Sequence, residues 1–146
     1  NINMITQTAE YALRAMVYLA DQGGPATTAE IAKKTQVPVG YLSKVMQLLS
    51  KSGLVHSQRG LHGGFVLVGL PGEISVLSVV NAVEPIQRFH ECPLGLHGKL
   101  LCPLHKRLDE AALAVEECFG ETTIAELNDV PRSRKPLCSF PLESKK

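Results

Sequence analysis

Two cysteine–proline dipeptides, Cys92-Pro93 and Cys102-Pro103, bracket a stretch that also holds His97, with His90 just ahead of it and His105 just after. Soft thiolates and imidazoles on a loop can wrap a transition metal or an iron–sulfur cluster. Cys102-x-x-His105 would set two donors at the start of a helix, where the helix dipole favours a thiolate. The same residues read equally well as two small buried cysteines beside exposed histidines, because two cysteines do not define a site. Cys118 falls between Val115 and Phe119 on a helical stripe and is expected as a packed core residue. Cys138 lies in a polar tail and is expected as an exposed thiol.

A second set of residues points to a polyanion. Between residues 28 and 70 stand Lys33, Lys34, Lys44, Lys51 and Arg59 against the single acid Glu30, a balance of +4, while the rest of the chain carries −3. A basic module inside a nearly neutral chain suits a phosphate backbone, although charge alone reads as easily as a solvated face.

These residues need elements to position them. Tyr11, Ala12, Ala15, Met16, Leu19 and Ala20 recur at helical spacing, and residues 21–25 break that helix. Thr27 and Glu30 have capping-box spacing, which predicts a short helix that ends near Gln36, ahead of Val37-Pro38. Pro38 is expected as the first residue of the next helix, with Tyr41, Leu42, Val45, Met46, Leu48 and Leu49 on its apolar side and Gly53 in a left-handed cap. Leu54 to Gln58 and Phe65 to Val68 read as two strands around the glycine-rich tip at 59–64. Ser75 is expected to cap a further helix, and Pro85 to stop it. Pro103 opens a long helix striped by Leu104, Leu108, Ala111, Ala112, Val115 and Phe119 and ended by Gly120. Thr123 and Glu126 repeat the capping-box spacing.

The predicted fold is mainly α: a winged helix-turn-helix with a two-stranded β wing and a long C-terminal dimerisation helix. The predicted divisions are a DNA-binding domain at 4–85, a sensor loop at 86–102, a dimerisation helix with a short following helix at 103–130, and a flexible tail at 131–146. On the second helix of the motif Val39, Gly40, Ser43, Lys44 and Gln47 lie off the apolar stripe. Ser43 and Gln47, one turn apart, could address base edges together, and Lys44 suits a phosphate. At the hairpin tip the glycines let the backbone approach DNA, and Arg59 supplies a charge that a narrow minor groove attracts. With Thr28 and Tyr41 from the helices and Gly60, His62 and Gly63 from the tip, these form the candidate DNA-binding set. The stripe on the long helix suits a helix–helix interface between subunits, although intrachain packing would give the same pattern.

Tyr11-Ala12-Leu13-Arg14-Ala15-Met16, Ile31-Ala32, Val37-Pro38, Tyr41-Leu42, Leu48-Leu49, Gly53-Leu54-Val55 and above all Arg59-Gly60-x-x-Gly63-Gly64-Phe65 carry a resemblance. Together they resemble the IscR/NsrR/RirA/CymR-type winged-helix transcription regulators, the Rrf2 family, over residues 4–128. The resemblance implies a homodimer on a dyad-symmetric promoter site in double-stranded DNA, with Arg59 in a minor groove. It implies a repressor that senses redox, iron or nitrosative state through an iron–sulfur cluster. Cluster-binding members have three cysteines in the loop. Cys92 matches the first, Cys102 the last and His105 the histidine that follows, the middle cysteine is missing, and His97 lies nearest the gap. In some relatives an acidic residue on the first helix of the partner subunit completes the set, and Glu10 stands at that position. A mixed set of two thiolates, a histidine and a carboxylate suits a [2Fe–2S] cluster better than a [4Fe–4S] one. Members of the CymR type act without a cluster, through a protein or metabolite partner, so a cofactor-free regulator is the alternative.

At 146 residues, 45% apolar and 20% charged, the chain suits one domain with an appendage and argues against disorder. No apolar run approaches the ~20 residues of a membrane span. No basic start leads into an apolar stretch, which argues against a signal peptide and for the cytoplasm. Asn1, Ile2 and Asn3, ahead of Met4, are given no role. Nothing supports an enzyme: residues 60–64 lack the Gly-Lys-Ser/Thr ending of a phosphate loop, and no Ser/His/Asp set stands in a recognisable context.

Overall fold

The computed structural model describes residues 5–131 and 136, so the expectation for Cys138 lies outside the described residues. The elements run α1 (Gln7–Gln22), α2 (Thr28–Thr35), α3 (Val39–Lys51), β1 (Val55–Gln58), β2 (Gly64–Leu67), a 3-10 turn (Pro71–Glu73), α4 (Val76–Val83), α5 (Pro103–Glu121) and α6 (Ile124–Asn128). This is the winged helix-turn-helix with a long C-terminal helix that the patterning predicts.

Helix α1 lies at the centre and packs against α2, α3, α4 and α6. Ala9, Ala12 and Ala15 are fully covered, and their small side chains allow neighbouring helices to approach closely. Around them Met16, Leu19, Ile31, Leu42, Met46, Leu49, Val79 and Ile124 make one continuous core. Thr35, the buried polar residue at the end of α2, donates its hydroxyl to the Ile31 carbonyl at 2.6 Å and so brings no unpaired group inside.

Local chemistry sets the helix ends. Both predicted capping boxes form, at Thr27/Glu30 and at Thr123/Glu126, and Ser75 accepts from the Ser78 N–H as expected. Gln36 takes the left-handed conformation (φ 56°) to make the turn between α2 and α3. Pro38 is the residue before α3 rather than its first helical residue, which begins at Val39. Gly53 is left-handed (φ 76°) as expected, while α5 continues through Gly120 to Glu121.

The strands pair antiparallel, Val55 opposite Leu67 and Gln58 opposite Gly64. The wing does not stand alone. Ala26 donates to the Phe65 carbonyl at 3.0 Å, and Phe65 donates back to the Ala26 carbonyl at 2.7 Å, tying β2 to the segment before α2. The approach demands glycine next door: at Gly64 (φ 143°) a Cβ would stand 2.4 Å from the Ala26 carbonyl carbon.

Helix α5 departs from the core pattern. None of its residues is buried. Leu104 and Leu108 are 63% and 45% exposed. Cys118 is exposed, which corrects its assignment as a packed core residue: its neighbours Val115 and Phe119 are half-buried while its own side chain faces solvent. A cleft of about 310 Å³ remains between α1, the end of α4 and α5, lined by Ile5, Ala9, Val80, Ile86, Val115 and Phe119 among others.

The segment after α4 is fixed to α5 by charge. Arg88 donates to both carboxylate oxygens of Asp109, at 2.7 and 3.0 Å, and to Glu116 at 2.9 Å, and the Phe89 N–H donates to Asp109 at 2.9 Å. The Arg88 guanidinium and then the Phe89 N–H hold the Asp109 carboxyl at about 2, below its ordinary 3.8. A depressed carboxyl stabilises the fold above its unfolded value, and the contribution is lost as pH falls through the folded one. Urea midpoints should therefore fall between about pH 4 and pH 2. Asp109→Asn should lower the midpoint at pH 7 and flatten the loss in that acid window; a variant with the wild-type acid profile would show that the clamp contributes nothing.

Candidate functional site

The basic module folds into α2, α3 and the two-stranded wing. Glu30 turns onto its helix start, accepting from the Thr27 N–H at 2.7 Å and the Thr27 hydroxyl at 3.0 Å, and these bonds lower its pKa. The single acid of the basic window is thereby tied to the start of α2. Lys33 and Lys34 lie exposed in the last turn of that helix, and Thr28 is half-buried at its first position. On α3 Val39, Gly40, Lys44 and Gln47 are exposed, as a reading helix requires. Among the described residues no acid forms an ion pair with Lys44 or Arg59.

Two of the expected contacts carry prior commitments. The Ser43 hydroxyl donates to the Val39 carbonyl at 3.1 Å, so it points along its own helix and is not free beside Gln47. Tyr41 shares a hydrogen bond between its hydroxyl and that of Thr8, and its ring meets the Tyr11 edge at 5.3 Å and 86°. Tyr41 therefore fixes the first turn of α3 against α1 while leaving about a third of its surface open.

At the wing tip Arg59, Gly60 and His62 are exposed and Gly63 half-buried. The Gly63 N–H donates to the Gly60 carbonyl at 3.0 Å, closing a tight turn, and Gly60 has φ 116°. A Cβ at Gly63 would stand 2.6 Å from the Gln58 carbonyl oxygen. The glycines fix one tip shape.

The thiol loop is organised around Cys92, which is buried. Its N–H donates to the Gly98 carbonyl at 3.4 Å, and its carbonyl accepts from the Gly95 N–H at 3.0 Å. The thiol is pulled from an ordinary 9.0 to about 7, first by the His97 side chain and then by the Leu96 N–H, against burial, with further backbone donors at Leu94 and His97. Donors converging on a sulfur favour the thiolate, the form that binds metals. Cys102 precedes α5, and its Sγ lies 3.0 Å from His105 Nδ1. The His105 ring packs on Phe89, centroids 5.4 Å apart, beside the Arg88 clamp.

The five expected metal ligands thus fall into two cysteine–histidine pairs and one distant carboxylate. Glu10 accepts from Arg14 Nη2 at 2.7 Å and from its Nε at 3.2 Å. Arg14 also donates to the Thr35 carbonyl at 3.3 Å and stacks 5.3 Å over Tyr11. Among the described residues no three Cys, His, Asp or Glu side chains come together in a way that could hold a metal ion. Cys92 lies beside His97 in the loop and Cys102 beside His105 at the start of α5, while Glu10, expected as a ligand from the partner subunit, lies on α1. Sequence reading missed the Arg88–Asp109–Glu116 clamp and the Arg14 link, which join residues 21 or more apart with no local pattern.

The chain matches the family model described as Rrf2, an iron-dependent transcriptional regulator, over residues 5–129. The chain belongs to the Rrf2 family of transcriptional regulators. It is 32% identical over 127 residues to the HTH-type transcriptional regulator IscR of Serratia proteamaculans, covering 84% of this chain and 77% of that protein. The fold is similar to that of CymR, the global cysteine regulator of B. subtilis, with TM-score 0.72 and 26% identity, covering 86% of this chain and 96% of that one. A T. potens IscR structure shares the fold at TM-score 0.72 and 24% identity, covering 86% of each chain. Rrf2 members are transcriptional regulators and not enzymes, so the basic surface of α3 and the wing belongs to a DNA-binding fold. Among the described residues no helix is long and apolar enough to cross a membrane.

Proposed function

We infer that this chain is a cytoplasmic homodimeric repressor that binds a dyad-symmetric promoter site and senses redox, iron or nitrosative state through a [2Fe–2S] cluster. The observation that carries the reading is the pair of loop cysteines, Cys92 buried with its pKa drawn down to about 7, first by His97, and Cys102 with its Sγ 3.0 Å from His105 Nδ1, in a family described as iron-dependent. The donor chemistry fits: thiolates and imidazoles are soft or borderline ligands suited to iron–sulfur clusters. Cys92 and Cys102 would hold the cluster, with His105 or His97 as third ligand and the partner's Glu10 as fourth. The cluster would supply an iron centre whose oxidation state and integrity report the cell's condition. Within this chain Glu10 must leave Arg14 to become a ligand, and the cysteine–histidine pairs must open towards one another.

The test is anaerobic reconstitution with iron and sulfide. The wild-type chain should take up both stoichiometrically and absorb in the visible. Alanine at Cys92 or Cys102 should abolish that absorption, whereas alanine at Cys118 or Cys138 should leave it intact. A wild-type chain that takes up no iron or sulfide would establish the second reading, a cofactor-free regulator. That reading is supported by the likeness to CymR, which matches at the same TM-score as the IscR structure.

The DNA-binding set is Thr28, Val39, Gly40, Tyr41, Ser43, Lys44, Gln47, Arg59, Gly60, His62 and Gly63. Lys44→Ala should weaken specific and non-specific duplex binding alike and lower the salt slope by about one. Arg59→Ala should cost specific affinity by about 1–3 kcal/mol if it fills a minor groove. Unchanged affinity in the Arg59 variant would rule out the wing as a DNA contact.

The dimer is inferred from α5, which buries none of its residues fully and leaves Leu104 and Leu108 of its apolar stripe exposed. Leu108→Glu and Val115→Glu would place unpaired charges in a dry interface, at a cost of about 3–5 kcal/mol. Light scattering should show monomers, and affinity for the dyad site should drop with them. Intact dimers in both variants would contradict the interface.

A further inference from the structure

Leu61 is 96% exposed, more than any other large hydrophobic residue among those described. An isolated exposed leucine is ordinary. This one stands at the corner of a hairpin tip whose shape is fixed. The Gly60–Gly63 turn is closed at 3.0 Å, and neither Gly63 nor Gly64 has room for a Cβ. The base of the wing is bonded on both sides of Phe65 to Ala26, so the tip cannot fold back to cover the side chain. Arg59 and His62 flank Leu61, and all three are exposed. An exposed apolar side chain on the same narrow hairpin tip as a cation and an imidazole fits a groove walled by sugars and edged by phosphates.

We propose that Leu61 is an apolar wedge that enters the minor groove beside Arg59 and partly unstacks the base step it meets. Apolar side chains inserted from the minor groove unstack a step and bend the duplex towards the major groove. Pyrimidine–purine steps yield most easily, so the wedge adds a preference for such a step at a position where no base edge is hydrogen-bonded. The driving force is removal of the leucine from water, which releases no counterions. The contribution of Leu61 is therefore independent of salt, unlike those of Arg59 and Lys44. This inference rests on the DNA-binding reading of the wing.

The test uses the full chain and a duplex enriched by the wild-type protein from a random-sequence pool, with 2-aminopurine placed in turn at the steps beneath the wing. Leu61→Ala should bind this duplex about five- to tenfold more weakly, as expected for loss of a partly buried leucine. It should keep the wild-type salt slope and lose the fluorescence rise that the wild type produces at one step. Leu61→Met should retain both. Since Leu61 touches nothing in the fold, melting temperatures should match, which separates the effect from misfolding. Equal affinity and fluorescence in Leu61→Ala and wild type would overturn the wedge while leaving DNA binding in place. A loss of affinity with a lower salt slope would assign the effect to a displaced Arg59 and overturn it too. A loss without a change in fluorescence would overturn the unstacking. A wild-type chain that enriches no sequence and binds no duplex at low salt would overturn the DNA-binding reading itself, and the wedge with it.

Discussion

The close burial of α1 is the constraint on which the other elements depend. Ala12 and Ala15 are fully covered, and α2, α3, α4 and α6 all pack around this one helix. Larger side chains at those alanines would push the reading helices away from α4 and α6, because a well-packed core absorbs added volume poorly. The same helix carries groups that reach outward. Tyr11 and Thr8 hold Tyr41 at the start of α3, and Arg14 holds the last carbonyl of α2. The turn between α2 and α3 is therefore pinned at both ends by α1, and its geometry follows from how α1 is packed.

Charge is used economically on the basic face. The acid in that window, Glu30, is consumed at a helix N-terminus, where a carboxylate gains from the unpaired N–H groups and the dipole. Five cations against this one acid leave the window a balance of +4, although the whole chain is close to neutral. The opposite arrangement holds at the other end of the molecule. There Arg88 is enclosed by Asp109 and Glu116, partly shielded from solvent, and its charge serves to hold a linker in place. Cations thus act on one side as a surface for a partner and on the other as an internal fastening.

The elements were legible in the sequence because their signals are local. Thr27 with Glu30, Thr123 with Glu126, Ser75, Gly53 and the glycine-rich tip each act within four residues, and each forms as its spacing predicts. The wing was legible as a hairpin but not as a three-way junction, because the bonds between Ala26 and Phe65 span 39 positions. The same limit hid the Arg88 clamp. Cys118 was misplaced for a different reason: the periodic stripe on α5 reports that the helix covers something apolar, and says nothing of whether that partner lies in the same chain. The side-chain commitments of Ser43 and Glu10 are local, four residues along their own helices, and compete with outward-facing roles that the same residue types could fill.

The arrangement of the thiol loop ties its chemistry to the position of α5. The two cysteine–histidine pairs belong to different elements, Cys92 and His97 to the loop and Cys102 and His105 to the start of the helix. What joins them in this structure is Arg88 with Asp109 and Glu116, the Phe89 N–H on Asp109, and the Phe89 ring on His105. These bonds tie the segment ahead of the loop to α5 and to His105 at its start. Helix α5 packs on α4, and α4 packs on α1, the helix that pins the reading turn. A displacement at the cysteines therefore has a continuous packed route to α2 and α3, and each contact on that route is a side chain that can be removed one at a time.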